Sequence, residues 1–397
     1  MNARDVVMVD AVRTAFGKAG ESGFFWLTRA DDMAVKVIRE LLRRNPAVKP
    51  EAVEENVWAA TTQEKDQGLT LGRTSAILAG LPESCSGFSV DRMCAGGMTA
   101  VTCAASEIAL GACDVAVAGG VEHMGHHPMG ATADPNPRFL AERIVSEDAL
   151  IMGKTAENLH DMFPEITREM ADEYAFHSQR KAAGAIAEGI IRKMIAPMTV
   201  YTKEGWVVAN RDQQPRPDTT VEGLKALGSP FRPKGKVTAG NSSGLNDGAC
   251  GALLMSADRA RDLGVKPRMR LVGYAYAGVK PEVMGYGPIP STKKVFSRTG
   301  LSMDDMGLIE LNEAFAVQCL VFMKEFGLKM PDDERLNPLG GAIAFGHPLA
   351  SSGPRLMMHL MHLFAGRPDV RYGLTALCVG LGQGGSVIWE NLEGRES

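Results

Sequence analysis

No charged residue occurs between Arg92 and Glu107, in the run MCAGGMTAVTCAAS. Small and apolar side chains occupy every face that helical spacing would generate. A helix that is apolar or small all round must be buried all round. It cannot lie against one face of a sheet with its back in water, so the pattern predicts a helix enclosed between two sheets. Cys94 stands just before this run, and a thiol there can be inert packing, a metal ligand or a nucleophile.

The flanking sequence reads as alternating strands and helices. DVVMVDAVRT, VEENVWAAT, SGFSVDRM and DVAVAGGVEHM have the texture of strands. Arg29 to Arg44 repeats apolar positions at helical spacing, and TLGRTSAILAGL is a second helical segment. Alternation of this kind predicts an α/β fold with buried sheets.

After Pro267 the early pattern returns in the same order. MRLVGYAYAG has the texture of DVVMVDAVRT. LGGAIAFGHPLASSGPRLMMHLMHLFAG parallels the Cys94 region as a glycine-rich turn followed by a mostly uncharged helix. RYGLTALCVGLGQGG parallels CDVAVAGGVEHMGH as a strand ending in glycines. An internal duplication follows. It would set one buried helix from each half side by side, with Cys94 and the Gly-His-Pro turn facing a shared centre. Between His123 and Asn246 the texture differs. Polar, proline-containing loops interrupt two helical stretches, TREMADEYAFHSQRKAAGAIAEGI being the clearer, and the segment reads as an insertion.

At 397 residues the chain exceeds one ordinary core, which agrees with a duplicated unit. A formal net charge of -4 gives no electrostatic footprint for nucleic acid. No apolar run is expected to reach the length of a membrane span, and the N-terminal segment lacks the pattern of a signal peptide. Seven cysteines without paired spacing predict reduced thiols and a cytoplasmic protein.

Several residues have the right types for chemistry, and each also has an ordinary explanation. The start of the uncharged helix would aim N–H groups and a positive dipole end at Cys94, favouring thiolate; the alternative is a small buried thiol. Gly96 and Gly97 suit close approach by a ligand or a neighbouring backbone. His347, in AFGHPL, could serve a thiol as general base or hydrogen-bond to its own turn. Cys378 ends an apolar strand, where sites concentrate, or fills a core. Asn312 and Glu313 sit at a strand-to-helix junction, where a plain helix N-cap is the simpler role. His123, His126 and His127 lack a fourth ligand at zinc spacing, so no metal site is expected.

Taken together, DRMCAGGM, GGVEHM, VTAGNSSGLNDGA, MGYGPIP, ELNEAF, GGAIAFGHP and CVGLGQG stand in the order found in thiolases. The resemblance runs from Val6 to the C-terminus. It implies the thiolase fold, an α/β architecture whose duplicated halves form a five-layered αβαβα core with an inserted loop domain. The implied boundaries are 1–122 for the N-terminal core, completed by about 247–270; 123–246 for the loop domain that binds coenzyme A; and 271–397 for the C-terminal core. NEAF resembles the thiolytic members. GGVEHMGHHPMG, MGYGPIP and CVGLGQG resemble the thiolases that form the β subunit of bacterial fatty-acid-oxidation complexes.

The resemblance implies thiolysis of 3-oxoacyl-CoA, with coenzyme A as co-substrate and no prosthetic group. Cys94 matches the acylated nucleophile, His347 its base, and Cys378 the acid and base serving the acetyl-CoA carbanion and the incoming CoA. One oxyanion site would combine His347 with a water held by Asn312, and the other the N–H groups of Cys94 and Gly380. Arg216 matches the nucleotide end of CoA, Phe231, Ala239 and Ser243 match the pantetheine, and Met152, Met284 and Phe315 match the acyl and pantetheine channel. Implied partners are a second copy or three further copies of the chain, or a hydratase/dehydrogenase α subunit. Two positions depart from the family pattern. Asp91 stands where asparagine is usual, and its carboxylate is expected to point away from Cys94. Ala350 stands where glycine is usual, and would be strained if that position needs positive φ. Other readings are a thiolase condensing two acetyl-CoA molecules, a ketosynthase, against which Cys378 argues, and a silent CoA- or lipid-binding relative.

Overall fold

The computed structural model describes residues 1–394. In the N-terminal half the strands are β1 (Val6–Arg13), β2 (Glu55–Ala59), β3 (Ser86–Val90), β4 (Val115–His123) and β5 (Asn246–Ser256). In the C-terminal half they are β6 (Met269–Gly278), β7 (Met306–Leu311), β8 (Tyr372–Val379) and β9 (Gln383–Asn391). Hydrogen bonding orders them β3-β2-β4-β5-β1 and then β6-β9-β8-β7.

The two halves repeat one topology. β2 runs parallel to β3 and β4, while β4–β5 and β5–β1 are antiparallel. In the second half β7 runs parallel to β8, while β8–β9 and β9–β6 are antiparallel. Even the missing edge strand has a trace, because Leu336 bridges Ile309 of β7 in parallel, as β3 flanks β2. The halves join where β1 meets β6, through Val7–Arg270 and Met8–Met269.

The uncharged run forms α3 (Gly96–Leu110), and its counterpart forms α8 (Ser352–Ala365). These helices pack on each other. α3 lies on β2, β4 and β5, while α8 reaches β7 and β8 of one half and β1 and β5 of the other. α1 (Ala30–Arg44) and α2 (Leu71–Ala79) cover the outer face of the first half, and α6 (Pro288–Thr299) and α7 (Ala316–Glu325) lie on the outer side of the second. The result is helix, sheet, helix, sheet, helix. α3 is tied across the central layer by hydroxyl pairs, Thr102 with Tyr276 at 2.9 Å and Ser106 with Tyr274 at 2.8 Å. The expectation that no run reaches membrane-spanning size needs correction. By length and composition Met93–Leu110 qualifies, at 18 residues. The same apolar character that would suit a bilayer here satisfies two protein layers.

Glycines permit the layers to meet. A β-carbon on Gly97 would lie 2.7 Å from Pro354 Cδ and collide with the Ala350 carbonyl, and one on Gly353 would lie 2.6 Å from the Met98 nitrogen. Gly120 of β4 likewise abuts the Ala350 main chain. Gly96 and Gly97 therefore make room for neighbouring chain rather than for a ligand.

Residues 124–245 leave the sheet between β4 and β5, where the second half closes the matching pair with Gly380–Gly382. This segment carries α4 (Met152–Met162), α5 (Arg168–Ala187) and a hairpin of Met198–Thr202 with Gly205–Ala209. α4 and α5 share an apolar cluster with the outer side of the second half, through Leu159, Tyr174, Met284 and Phe322. The buried Glu313 carboxylate fastens the segment, accepting from Tyr174, Ser178, Asn337 and the Ile343 N–H.

Candidate active site

Cys94 lies in a single 3-10 turn, Met93–Ala95, immediately before α3. Met93 takes left-handed backbone, φ 44°, a conformation costing an L-residue roughly 1–2 kcal/mol. The Asp91 carboxylate supports it by accepting the Met93 N–H at 2.7 Å. Asp91 is thus exposed and engaged with its own turn, and its charge is the weakest of the influences that raise the Cys94 pKa.

The turn packs against the Leu349–Ser351 turn and against β8. Burial pushes the Cys94 thiol from an ordinary 9.0 up to about 12, although the N–H groups of Gly380 and of Cys94 itself donate toward the sulfur. That rise disfavours thiolate by about 4 kcal/mol. A helix N-terminus returns no more than roughly 2 kcal/mol. The expectation of a helix-stabilised thiolate is therefore corrected: desolvation outweighs the dipole, and the resting group is a thiol. Two N–H groups converging on this sulfur are placed to receive the oxygen of an acyl group carried there.

Cys378 is buried near the end of β8, and its thiol donates to Gln318 Oε1 at 3.7 Å. Burial and the nearby Cys94 both raise its pKa. Asn312 continues β7, its N–H bonding the Ala376 carbonyl at 2.9 Å. Neither Asn312 nor Glu313 is the N-cap of the helix that follows, since α7 begins at Ala316 with Phe315 at the cap position.

His347 is held on three sides. Its N–H donates to Asn246 Oδ1 at 3.2 Å, its Nδ1 lies 2.6 Å from Ser352 Oγ, and its Nε2 lies 3.4 Å from Asn312 Nδ2. Burial, then the Arg355 charge, lowers its pKa to about 3, so the ring is neutral. The next turn is set by Glu122, whose buried carboxylate accepts from Gln67 Nε2 at 2.9 Å, Thr61 N at 3.0 Å and Ala350 N at 3.3 Å. Ala350 sits in a right-handed 3-10 turn with no positive φ, so alanine brings no backbone strain.

Met284 and Phe315 are buried in one apolar cluster with Cys378, and Met152 and Phe231 pack against it. The Phe231 ring covers Gly153, and Met152 Sδ would lie 3.7 Å from a β-carbon on Gly380. Ser243 joins this group through its N–H to the Ala314 carbonyl at 3.0 Å. Ala239 and Arg216 are exposed, and the Arg216 main-chain N–H is held by Gln179 Oε1 at 2.9 Å. The three histidines are structural in their bonding. His123 and His126 meet the Phe25 and Trp26 carbonyls, and His126 and His127 share Asp66. Among the described residues no group of three or more His, Cys, Asp or Glu is arranged to hold a metal ion.

Sequence reading missed Ser352, Arg355, Asn246 and Gln318. Ser352 and Asn246 open α8 and β5 directly after glycine- and serine-rich stretches of sequence, which mask them. Arg355 had a visible signal: it is the one Asp, Glu, Lys or Arg between Arg335 and Arg367.

The sequence matches the family described as thiolase, N-terminal domain, over residues 6–258 and thiolase, C-terminal domain, over residues 265–391. It is 42% identical over 389 residues to a 3-ketoacyl-CoA thiolase of Pseudoalteromonas translucida, covering 98% of this chain and 99% of that one. A 3-ketoacyl-CoA thiolase of Idiomarina loihiensis is 43% identical over 393 residues, covering 98% and 100%. Among solved structures, the Bacillus anthracis acetyl-CoA acetyltransferase superposes with TM-score 0.87 at 37% identity, covering 98% of this chain and 99% of that chain. Human mitochondrial 3-ketoacyl-CoA thiolase does so with TM-score 0.87 at 32% identity, covering 98% and 100%.

Proposed function

This chain belongs to the thiolase family, and from that premise we propose how its residues cleave a 3-oxoacyl-CoA. The enzyme is an acyltransferase of fatty-acid metabolism with coenzyme A as co-substrate. The observation that carries the residue assignment is the packing of the Cys94 turn against β8, which bears Cys378, and against the Leu349–Ser351 turn that follows His347, itself held by Asn312 and Ser352.

Cys94 attacks the ketone carbon at C3 and passes its proton to Nε2 of His347, the ring nitrogen that carries no proton. The C2–C3 bond breaks, and its electron pair becomes the enolate of acetyl-CoA. Cys378 gives its proton to C2, and acetyl-CoA departs. The Cys378 thiolate then deprotonates incoming CoA, whose sulfur attacks the acyl-Cys94 thioester. Cys94 leaves and recovers the proton held by His347. The N–H groups of Cys94 and Gly380 stabilise the oxyanion on the acyl carbon, and His347 with a water held by Asn312 stabilises the enolate oxygen. Burial serves this scheme, because neutral partners avoid solvating a charge until substrate is bound. Arg216 is assigned to the nucleotide phosphates, Phe231, Ala239 and Ser243 to the pantetheine, and Met152, Met284 and Phe315 to the channel wall, where flexible thioethers suit varied chains.

The test is thiolysis across a series of 3-oxoacyl-CoA chain lengths, with mass analysis of Cys94. An acyl adduct on Cys94 and activity beyond acetoacetyl-CoA support the reading. Activity confined to acetoacetyl-CoA favours the condensing reading, which the match to an acetyl-CoA acetyltransferase keeps in play. Absence of any adduct would leave a CoA-binding protein. We further propose a homodimer or homotetramer, or association with a hydratase/dehydrogenase α subunit, which co-purification from native extract would identify. A cytoplasmic location is proposed on chemistry: all seven cysteines are unpaired, and the two at the site must stay reduced.

A further inference from the structure

We propose that Arg355 is a positioning residue for this reaction: it fixes which way the Asn312 amide faces and, through that amide, which nitrogen of His347 carries the proton. The inference rests on the catalytic reading of His347 given above.

Arg355 is fully buried in the first turn of α8, and its Nη2 donates to Asn312 Oδ1 at 3.2 Å. A guanidinium has donors and no acceptor. The oxygen of the amide must therefore face Arg355, and the nitrogen must face the other way. That nitrogen lies 3.4 Å from His347 Nε2. An amide N–H can meet Nε2 only if Nε2 is bare. The ring proton then sits on Nδ1, where Ser352 Oγ accepts it at 2.6 Å. Donation runs in one direction, from Arg355 to Asn312 to His347 to Ser352. Reversing the amide would set two N–H donors against each other at Arg355 and ask Nε2 to carry a proton, which removes its capacity as a base.

Two details separate this role from ordinary packing. Nε and Nη1 of Arg355 have no hydrogen-bond partner among the described residues, and Glu310 approaches Nη1 no closer than 3.8 Å. The hydrogen bond this buried cation makes is to the amide, while Glu310 lies at the longer distance of an ion pair. In addition, Ser352 and Arg355 are three residues apart on one helix and so share a face. One turn of α8 supplies the acceptor for one side of the imidazole and the orienting donor for the other. The charged or titratable groups that face Arg355 are Glu310 on β7, Glu313 just beyond it, Arg13 at the end of β1 and Cys250 on β5, with His359 further along α8.

The test compares Arg355→Lys, which keeps a donor-only cation, with Arg355→Gln combined with Glu310→Gln, which removes the charge without stranding a buried carboxylate. In the double variant kcat should fall about 10- to 100-fold with KM changed by less than about threefold. Nitrogen-15 spectra of the His347 ring should show one Nδ1–H tautomer in the parent and a mixture in the double variant. Arg355→Lys should keep the single tautomer and recover most of kcat. An unchanged tautomer in the double variant, or a loss in Arg355→Lys equal to that in the double variant, would overturn the proposal. The ring spectrum is read on folded protein, so a poorly folding variant still gives an answer. If the parent shows no thiolysis at all, the functional reading fails while the tautomer comparison still decides the role of Arg355.

Discussion

The α-carbon of Gly97 faces the Ala350 carbonyl oxygen so closely that no β-carbon fits between them, with Pro354 Cδ 2.7 Å from where one would be. This contact brings the start of α3 against the turn before α8, and with it Cys94 against the His347 loop.

Gly97→Ala tests that packing directly. The atoms in the way are backbone and a proline ring, which cannot swing aside. We expect a loss of about 2–3 kcal/mol in stability, seen as a lower urea midpoint with unchanged m-value. A midpoint equal to that of the parent would show that the helix starts are not so tightly apposed.

The division of labour between the two thiols can be separated by half-reactions. Cys94→Ser should reduce thiolysis by at least about 1000-fold and leave the thermal midpoint within a few degrees. Cys378→Ala should still form acyl-Cys94 from a simple acyl-CoA, which requires no carbon–carbon cleavage. It should fail to release acetyl-CoA from a 3-oxoacyl-CoA. Loss of both half-reactions in Cys378→Ala would contradict the assigned roles.

Ser352→Ala removes the acceptor for the His347 Nδ1 proton, 2.6 Å away. A buried N–H left without a partner costs about 1–3 kcal/mol. We expect kcat to drop about 10- to 100-fold, the KM for CoA holding steady. Steady-state kinetics with both substrates varied will show whether the loss falls on kcat or on binding.

The pH behaviour of Cys94 follows from two opposite effects of burial. The thiol is pushed up to about 12 and His347 down to about 3. Below 12 the protonated sulfur predominates, and above 3 the imidazole is neutral, so the free enzyme holds no thiolate–imidazolium pair near neutrality. Alkylation of Cys94 by iodoacetamide should rise close to tenfold per pH unit from about pH 7 to pH 9. A rate already level at neutral pH would mean a resting ion pair.

Asp91→Asn keeps an acceptor for the Met93 N–H and removes a charge that slightly raises the Cys94 thiol. Activity should stay within about threefold of the parent, whereas Asp91→Ala, which deletes the acceptor, should lower it further. Equal activity in both variants would show that the Met93 turn holds without this bond.

Much of the architecture was legible in order and texture. The uncharged run of α3 could be satisfied only by enclosure, because a surface helix needs one polar face. The repeated strand, turn and helix textures correspond to two halves with the same strand order and pairing sense. The motif order also brought out Cys94, His347, Cys378 and Asn312 as a set. What sequence could not supply was which effect prevails where several act on one atom. The end of α3 promised a thiolate at Cys94, yet desolvation, a property of the assembled layers, prevails over the helix dipole. Gly96 and Gly97 promised space, and only the opposing Ala350 and Pro354 reveal what fills it. Asp91 presented an ambiguous charge, settled by one bond to Met93. The orientation of Asn312 depends on Arg355, which is 43 residues away along the chain and in contact only after α8 is seated between the sheets. Local pattern determines which segments are strands and helices and which faces must be buried, since those depend on neighbours in the chain. The charge state and direction of each group at the site depend on desolvation and on partners brought from distant segments, and these exist only in the folded molecule.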